Sequence, residues 1–213
     1  MASTVTKTAA TKSILTPSIT LKEHGKLIEF IFYIPDVQLM ISRSQDRTTQ
    51  QWDLKVGKEI EEARSDYEWS TWAVAVSRNG RWVATGDERG ELKACEVETG
   101  IVKTFKGHSA DRIYCIDISA DNTWLASGSF DKTVRVWNLD TGKLVAGPFK
   151  RDDRVGNVRF SPNSKKLAVK SYWGWCLEVW DVQSQKLDVR VGGFGRIPIT
   201  YTPVFWTNDN KNI

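Results

Sequence analysis

The sequence has 213 residues, of which 40% are hydrophobic and 26% are charged, with a net charge of +4. These proportions are typical of globular domains and exclude a wholly disordered chain. No apolar stretch approaches the roughly 20 residues that cross a membrane as a helix, and basic and acidic residues alternate rather than forming a basic stripe for nucleic acid. The ten tryptophans are many for this length, which indicates an internal repeat.

The first 13 residues are rich in Ser, Thr, Ala and Lys, and they contain neither arginine nor an apolar core. This composition favours a solvated, disordered tail over residues 1–13 rather than a signal or transit peptide. A strand is predicted next, over Ile14–Leu21.

Four short segments then recur at almost constant spacing. Each contains one landmark residue, and the landmarks Trp52, Cys95, Trp137 and Trp180 lie 43, 42 and 43 residues apart. An acidic or amide residue and an aliphatic residue follow each landmark. A period of about 40–45 residues is expected when each repeat is one four-stranded blade of a propeller.

The third repeat shows the internal pattern most clearly. Strands are predicted over residues 111–119, 123–128, 133–139 and from residue 143 onwards, with turn-forming residues between them. Apolar and polar residues alternate along residues 133–139, and no segment of the chain has a helical period with caps. The predicted fold class is therefore all-β, with four-stranded antiparallel blades.

Particular residues of this repeat resemble the WD-repeat family: Gly107-His108 before the first strand, Asp131 in the second turn, and Trp137 at the end of the third strand. The resemblance covers nearly the whole chain, from Ile14 to Ile213. It implies a β-propeller in which a His, a Ser or Thr, an Asp and a Trp form a hydrogen-bonded network within each blade. Two repeats carry all four residues: His24, Ser42, Asp46 and Trp52 in the first, and His108, Ser127, Asp131 and Trp137 in the third.

The second and fourth repeats depart from this pattern. Arg89 and Cys95 replace the Asp and the Trp of the second repeat, whereas Lys170 and Gly174 take the Ser and Asp positions of the fourth, in which Trp180 remains. We expect these two blades to depend on packing against their neighbours and to be the softer ones.

The repeat predicts a ring that is not complete. The leading strand over 14–21 precedes blades over 22–64, 65–106, 107–149 and 150–192, and a truncated fifth unit occupies 193–213. Three alternatives remain open: a fragment or truncated product, which we favour; a strained small ring; or a partner that supplies blades. The unclosed edge would also allow self-association, because unpaired strands and apolar blade faces are adhesive.

Catalytic chemistry is not predicted. Both histidines belong to the network, and Cys95, Cys115 and Cys176 lie in apolar runs without a neighbouring base, as buried thiols do in a reducing compartment. The sequence has no phosphate-binding glycine loop and no Cys/His cluster spaced for zinc. We therefore expect no enzyme activity, no cofactor and no metal.

Two aromatic clusters fall outside the repeat pattern and supply the predicted partner-binding residues. They are Tyr67, Trp69 and Trp72 in the connection into the second blade, Tyr172, Trp173 and Trp175 in a turn of the fourth, and Arg151 and Arg154 in the connection between the third and fourth blades. The resemblance implies that these loops open onto one face, and aromatic side chains beside arginine are typical interface anchors. The alternative is that they pack under loops where the network is missing.

The predicted function is a non-catalytic protein–protein interaction scaffold. The alternative is a ligand-sensing or regulatory module of a larger multidomain protein, with an enzyme as a third and weaker reading. Other proteins are the expected partners, whereas a membrane or nucleic acid is not expected. The predicted location is the cytoplasm, with the nucleus as the alternative.

Overall fold

A computed structural model of the chain describes residues 24–34, 38–44, 46, 48–60, 65–66, 71–109, 111–173, 176–192 and 204–207. These residues form 17 β-strands and no helix, so the all-β prediction is confirmed. None of the described residues belongs to a helix that could cross a membrane. The predicted tail (1–13) and leading strand (14–21) lie outside the described residues, as does most of the predicted fifth unit.

The strands have the following bounds: β1 Ile28–Ile34, β2 Leu39–Ser44, β3 Thr48–Asp53, β4 Lys58–Glu59, β5 Ser65–Asp66, β6 Thr71–Val76, β7 Trp82–Asp87, β8 Leu92–Glu96, β9 Val102–Phe105, β10 Ile113–Ile118, β11 Trp124–Ser129, β12 Thr133–Asn138, β13 Leu144–Lys150, β14 Val155–Phe160, β15 Lys166–Ser171, β16 Cys176–Asp181 and β17 Leu187–Gly192.

The strands form four antiparallel sheets, each a meander in chain order: β1–β4, β6–β9, β10–β13 and β14–β17. Each sheet is one blade, and the four described blades make an unclosed all-β propeller. In the first blade, β5 also pairs with β3. The first sheet therefore continues to Asp66, past residue 64, where the sequence pattern predicts the end of the blade.

A recurring turn joins the first and second strands of three blades. Ser77, Ser119 and Ser161 lie 42 residues apart, and each hydroxyl donates to an Asn or Asp side chain two residues further on. Each hydroxyl also accepts the backbone N–H that begins the next strand. This local side-chain bonding fixes the reversal of the chain, so the repeat period is built into the turns as well as into the strands.

The core lies between consecutive blades rather than at one centre. One buried cluster joins the second and third blades around Trp82, Phe105 and Ile113, and another joins the third and fourth around Val136 and Val155. Each cluster combines the inner face of one sheet with the first strand of the next. Neighbouring blades therefore stabilise each other, as the layers of a repeat protein do.

Two glycines allow this close approach. A Cβ atom at Gly86 would lie 2.5 Å from the Ile113 side chain, and one at Gly128 would lie 2.4 Å from Val155. Both glycines occupy the same position of consecutive blades, because Gly86 pairs with Leu92 and Gly128 pairs with Val134. The absent side chain at this position admits the first strand of the next blade.

The fourth blade corrects one detail of the predicted alignment. Leu167 pairs with Trp180 and Val169 pairs with Glu178, as Leu125 pairs with Trp137 in the third blade. Val169 therefore takes the Ser position, and Lys170 takes the position of Gly128. The prediction was wrong by one residue because the fourth repeat is longer by one residue between Ser171 and Cys176. Lys170 is buried there, and this burial lowers the pKa of its amine.

The close approach at Gly128 gives a stability prediction. Gly128→Ala would place a methyl group 2.4 Å from Val155 Cγ1 and 2.7 Å from Cys115 Sγ, so we expect overpacking to lower the free energy of unfolding by about 1–3 kcal/mol. Urea unfolding measures the loss. Gly25→Ala is the matched control, because no atom lies within 4 Å of its added Cβ. Equal midpoints for all three chains would contradict the packing described above.

Candidate functional site

The third blade holds four predicted network residues in one chain of hydrogen bonds. Trp137 Nε1 donates to Ser127 Oγ at 3.0 Å, Ser127 Oγ lies 2.7 Å from His108 Nε2, and His108 Nδ1 lies 2.8 Å from Asp131 Oδ2. Every group has a partner when the ring proton is on Nδ1, which then donates to the carboxylate while Nε2 accepts from the serine. The chain of bonds ties β11 and β12 to the segment that precedes β10.

The first blade repeats this arrangement. Trp52 Nε1 lies 2.7 Å from Ser42 Oγ, which lies 2.7 Å from His24 Nε2, and His24 Nδ1 lies 3.1 Å from Asp46 Oδ2. The exposed fractions of the two histidine side chains are 3% for His24 and 0% for His108. Rings enclosed in this way do not contact a ligand, so the network holds the blades rather than performing chemistry.

Two threonines extend the network beyond the predicted residues. Thr48 Oγ1 donates to Asp46 at 2.6 Å, and Thr133 Oγ1 donates to Asp131 at 2.7 Å. Burial is the largest influence on Asp131 and would raise its pKa, but hydrogen bonds from His108 and Thr133 outweigh it and lower the pKa. The signal in the sequence was an Asp followed two residues later by Thr in both complete repeats.

The fourth blade has a polar network of a different composition. Glu178 is fully buried, and its Oε2 accepts from Trp180 Nε1 at 2.8 Å and from Arg151 Nη1. Its Oε1 accepts from Arg190 Nε at 2.7 Å and from Arg190 Nη2 at 2.6 Å. The fourth blade was expected to depend on packing alone, whereas it contains a buried carboxylate with two guanidinium partners.

This ion pair changes the assignment of Arg151. The sequence predicts Arg151 as a partner-binding residue, but its side chain is 4% exposed and is directed at Glu178 inside the blade. Arg154, three residues later, is exposed. The connection between the third and fourth blades is therefore fixed at Arg151 and open to solvent at Arg154.

Aromatic and arginine side chains from the second, third and fourth blades meet on one surface. We call this the aromatic–arginine surface, and it consists of Trp72, Arg112, Tyr114, Phe130, Arg154, Tyr172 and Trp173. Its members lie at the start of the first strand or in the turn after the second strand of a blade. The surface is therefore a product of the repeat and not of one loop.

The rings form a row with one ring across it. Trp72 and Tyr114 stack with centroids 6.4 Å apart and planes 26° apart, and Tyr114 and Phe130 stack at 5.2 Å and 20°. Tyr172 meets Tyr114 edge-on at 5.0 Å and Phe130 at 4.9 Å, and it also contacts Trp173 at 5.1 Å. Offset-stacked and edge-on pairs at these distances are favourable, so the row is held together by its own contacts.

The two arginines lie against this row. Arg112 Cζ is 3.6 Å from the Trp72 ring centroid and 5.3 Å from that of Phe130, and Arg154 Cζ is 4.7 Å from Phe130. These distances are typical of cation–π contacts. The backbone N–H of Tyr172 also donates to the carbonyl oxygen of Arg154 at 2.7 Å, which ties the two loops of the fourth blade together.

The structure brings together four of the predicted partner-binding residues: Trp72, Arg154, Tyr172 and Trp173. Tyr67, Trp69 and Trp175 lie outside the described residues. Sequence reasoning missed three members of the surface, which are Arg112, Tyr114 and Phe130.

The repeat itself contained the signal for the missed residues. Members of the surface form pairs 42 residues apart: Trp72 with Tyr114, Arg112 with Arg154, and Phe130 with Tyr172. The same position in consecutive blades places side chains next to each other, because each blade repeats the one before it. A search for aromatic and basic residues at the repeat interval would have found the whole set.

A cavity of about 530 Å³ lies beside this surface, along the first strands β6, β10 and β14. Trp72 and Tyr114 line it together with Arg78 and Arg159. Asp117 lies in its wall and accepts from Phe160 N at 2.7 Å and from Arg159 Nη1 at 3.1 Å. No other carboxylate lines the cavity among the described residues, and they include no group of three potential metal ligands.

Segment 204–207 also contributes to this cavity. Val204 is buried, Phe205 lines the cavity, and Trp206 Nε1 donates to the carbonyl oxygen of Arg159 at 3.1 Å. This segment, which belongs to the predicted fifth unit, therefore contacts the first strand of the fourth blade.

The repeated four-stranded blades and the network in two of them define a β-propeller of the repeat type. Residues 100–138, from the outer strand of the second blade into the third strand of the third blade, match the family model described as "WD domain, G-beta repeat". The chain belongs to the WD-repeat family.

Three relatives illustrate the similarity. U3 small nucleolar RNA-associated protein 21 of Saccharomyces cerevisiae is 36% identical over 85 residues, which are 40% of this chain and 9% of that protein. WD repeat-containing protein SL1-17 of Schistosoma mansoni is 31% identical over 117 residues, 54% of this chain and 38% of that protein. Pre-mRNA-processing factor 17 of Homo sapiens is 24% identical over 165 residues, 74% and 28% respectively. The chain thus spans well under half the length of each.

Truncation of Glu178 tests the network of the fourth blade. Glu178→Ala leaves the guanidinium of Arg151 buried without its carboxylate, so we expect the free energy of unfolding to fall by about 3–5 kcal/mol. Asp188→Asn is the control, because it removes only a half-exposed partner of Lys166 and should change stability much less. Urea unfolding compares the three chains, and a Glu178→Ala loss no greater than that of the control would contradict the network.

Asp117 gives a pH prediction. Burial raises its pKa from 3.8 to about 6, against the attraction of Arg159, so the folded chain binds a proton more tightly than the unfolded chain does. The stabilisation from this group is present at low pH and is lost as the pH rises through about 6. Relative to Asp117→Asn, wild type should lose stability across this window in urea unfolding. A difference between the two chains that does not vary with pH would be the contrary result.

Proposed function

We propose that the chain is a non-catalytic protein-interaction scaffold and that the aromatic–arginine surface is its partner-binding site. WD-repeat proteins are in general non-catalytic scaffolds. The observation that carries the proposal is the convergence of aromatic and arginine side chains from three blades on one surface. Aromatic and arginine residues are the side chains that contribute most to protein–protein affinity.

Exposure supports the surface as a binding site rather than as packing under loops. Trp173 is 44% exposed although its edge contacts Tyr172, and Arg154 is exposed although its guanidinium lies over Phe130. Tyr172 and Phe130 behind them are half-buried. A partner would therefore meet a large indole and a guanidinium on a supported base, so it would need to order few side chains.

The buried network of the fourth blade supports the rigidity of this base. Arg151 is held by Glu178, and the next three residues lead to Arg154, whose carbonyl oxygen accepts from Tyr172. The replacement of the His–Ser–Asp–Trp network by a Glu–Arg network therefore anchors both loops that carry the exposed side chains. In this proposal the altered blade serves binding.

The names of two relatives bear on location and partners. U3 small nucleolar RNA-associated protein 21 and pre-mRNA-processing factor 17 are named for RNA and its processing. These names support a nuclear location for this chain and do not support the cytoplasmic location expected from the sequence. They also remove the ground for setting nucleic acid aside as a partner, whereas protein partners remain the proposal.

The proposal is tested by substitution at the exposed members of the surface. Trp173→Ala and Arg154→Ala are expected to reduce capture of partner proteins from a nuclear extract by about tenfold or more, since central anchors contribute about 2 kcal/mol or more. Urea unfolding should show little change for either variant. The measurement is quantitative mass spectrometry of the proteins that the immobilised chain retains.

Phe205→Ala is the matched control, because Phe205 is 68% exposed and lies outside the surface. It should retain the same proteins as wild type. An unchanged set of retained proteins in the Trp173 and Arg154 variants would reject this surface as the binding site.

A further inference from the structure

Arg112 and Arg154 occupy the same position of consecutive blades, immediately before or within one residue of the first strand. Both guanidinium groups lie near one ring, since their Cζ atoms are 5.3 Å and 4.7 Å from the Phe130 centroid. The two Cζ atoms are therefore no more than about 10 Å apart, which is the sum of those distances. The repeat has placed two cations side by side on the aromatic–arginine surface.

Neither of these arginines forms an ion pair with a carboxylate of the described residues, and Arg112 Nε is buried without a hydrogen-bond acceptor there. Other arginines of the same blades are paired: Arg151 and Arg190 with Glu178, and Arg159 with Asp117. Ring faces attract a cation but do not satisfy its N–H groups in the way that carboxylate oxygens do. The two guanidinium groups thus retain donors for an external anion.

We infer that Arg112 and Arg154 together bind a carboxylate side chain in an acidic segment of a partner protein, with Trp173 and Tyr172 holding an adjacent apolar residue. This inference rests on the proposed function of the surface. The planar guanidinium presents parallel N–H groups to both oxygens of a carboxylate. Arg154 is exposed, so its side chain can turn toward the anion while Arg112 stays against Trp72.

The surrounding charges favour a single carboxylate over a polyanion. Asp111 precedes Arg112, and Asp152 and Asp153 precede Arg154. These three carboxylates confine the positive potential to the space between the two guanidinium groups. An RNA backbone, with a phosphate on every nucleotide, needs a longer basic track, and a doubly charged phosphoryl group would be repelled more strongly than a carboxylate is.

The test uses four pools of 12-residue peptides, random except at one central position that is Glu, Gln, phosphoserine or Ser, and a 20-nucleotide oligouridine as a fifth probe. Retention of each probe by the immobilised chain is compared for wild type, Arg112→Gln, Arg154→Gln and Lys143→Gln. The Lys143 variant is the control, because it removes an exposed charge outside the surface. We expect wild type to retain the Glu pool about tenfold more than the Gln pool, since a charge-assisted hydrogen bond contributes about 1.5–3 kcal/mol.

Arg154→Gln should abolish this preference, and Lys143→Gln should keep it. Arg154 is exposed, so its variant remains informative even where Arg112→Gln fails to fold. Equal retention of the Glu and Gln pools would overturn the inference and leave the proposed function standing, whereas no retention of any pool would count against both. Stronger retention of phosphoserine than of Glu, or of oligouridine than of any peptide pool, would also overturn it.

Discussion

The packing of each blade against the first strand of the next is the constraint on which the rest of this structure depends. Gly86 and Gly128 leave out the side chain that would block this approach, and the buried clusters form where the blades meet. Because every blade docks in the same way, a given repeat position is carried from one blade to the next. The aromatic–arginine surface follows from this geometry, since Trp72 with Tyr114 and Phe130 with Tyr172 are such pairs.

Two solutions to one polar problem coexist in the chain. The first and third blades bury a hydroxyl, an imidazole and a carboxylate that satisfy one another, and the fourth buries a carboxylate held by guanidinium groups. A buried ion pair contributes little net stability compared with apolar packing, but it makes the position of its members strict. In the fourth blade those members include Arg151, so the second solution fixes the connection that carries Arg154.

The sequence predicted the repeat, the strands and the fold class because these depend on local signals. Strand alternation, turn residues and the interval between Trp137 and Trp180 can all be read along one blade. Glu178 was missed because nothing in the sequence says which of many carboxylates becomes buried. Arg151 was taken for a surface residue for the same reason, since a charged residue in a connection is exposed in most proteins.

The surface was predicted in part, and the division has a physical cause. Trp72, Tyr172 and Trp173 stood out because they interrupt the repeat pattern, whereas Tyr114 and Phe130 fit inside strands and turns and so attracted no attention. Contacts between blades join residues 42 apart, which periodicity within one blade does not reveal. The shift of Lys170 to the glycine position had a similar origin, because the position of one extra residue is decided by strand pairing.

The most direct measurement of the central claim is hydrogen–deuterium exchange of the chain with and without a captured partner. The account predicts that partner binding protects segments that are distant in sequence but share the surface: those around Arg112–Tyr114, Phe130, Arg154 and Tyr172–Trp173. The outer strand β17, whose residues are all exposed, should exchange as before. Protection confined to β17 would contradict the account and would show that partners bind at the edge of the sheet.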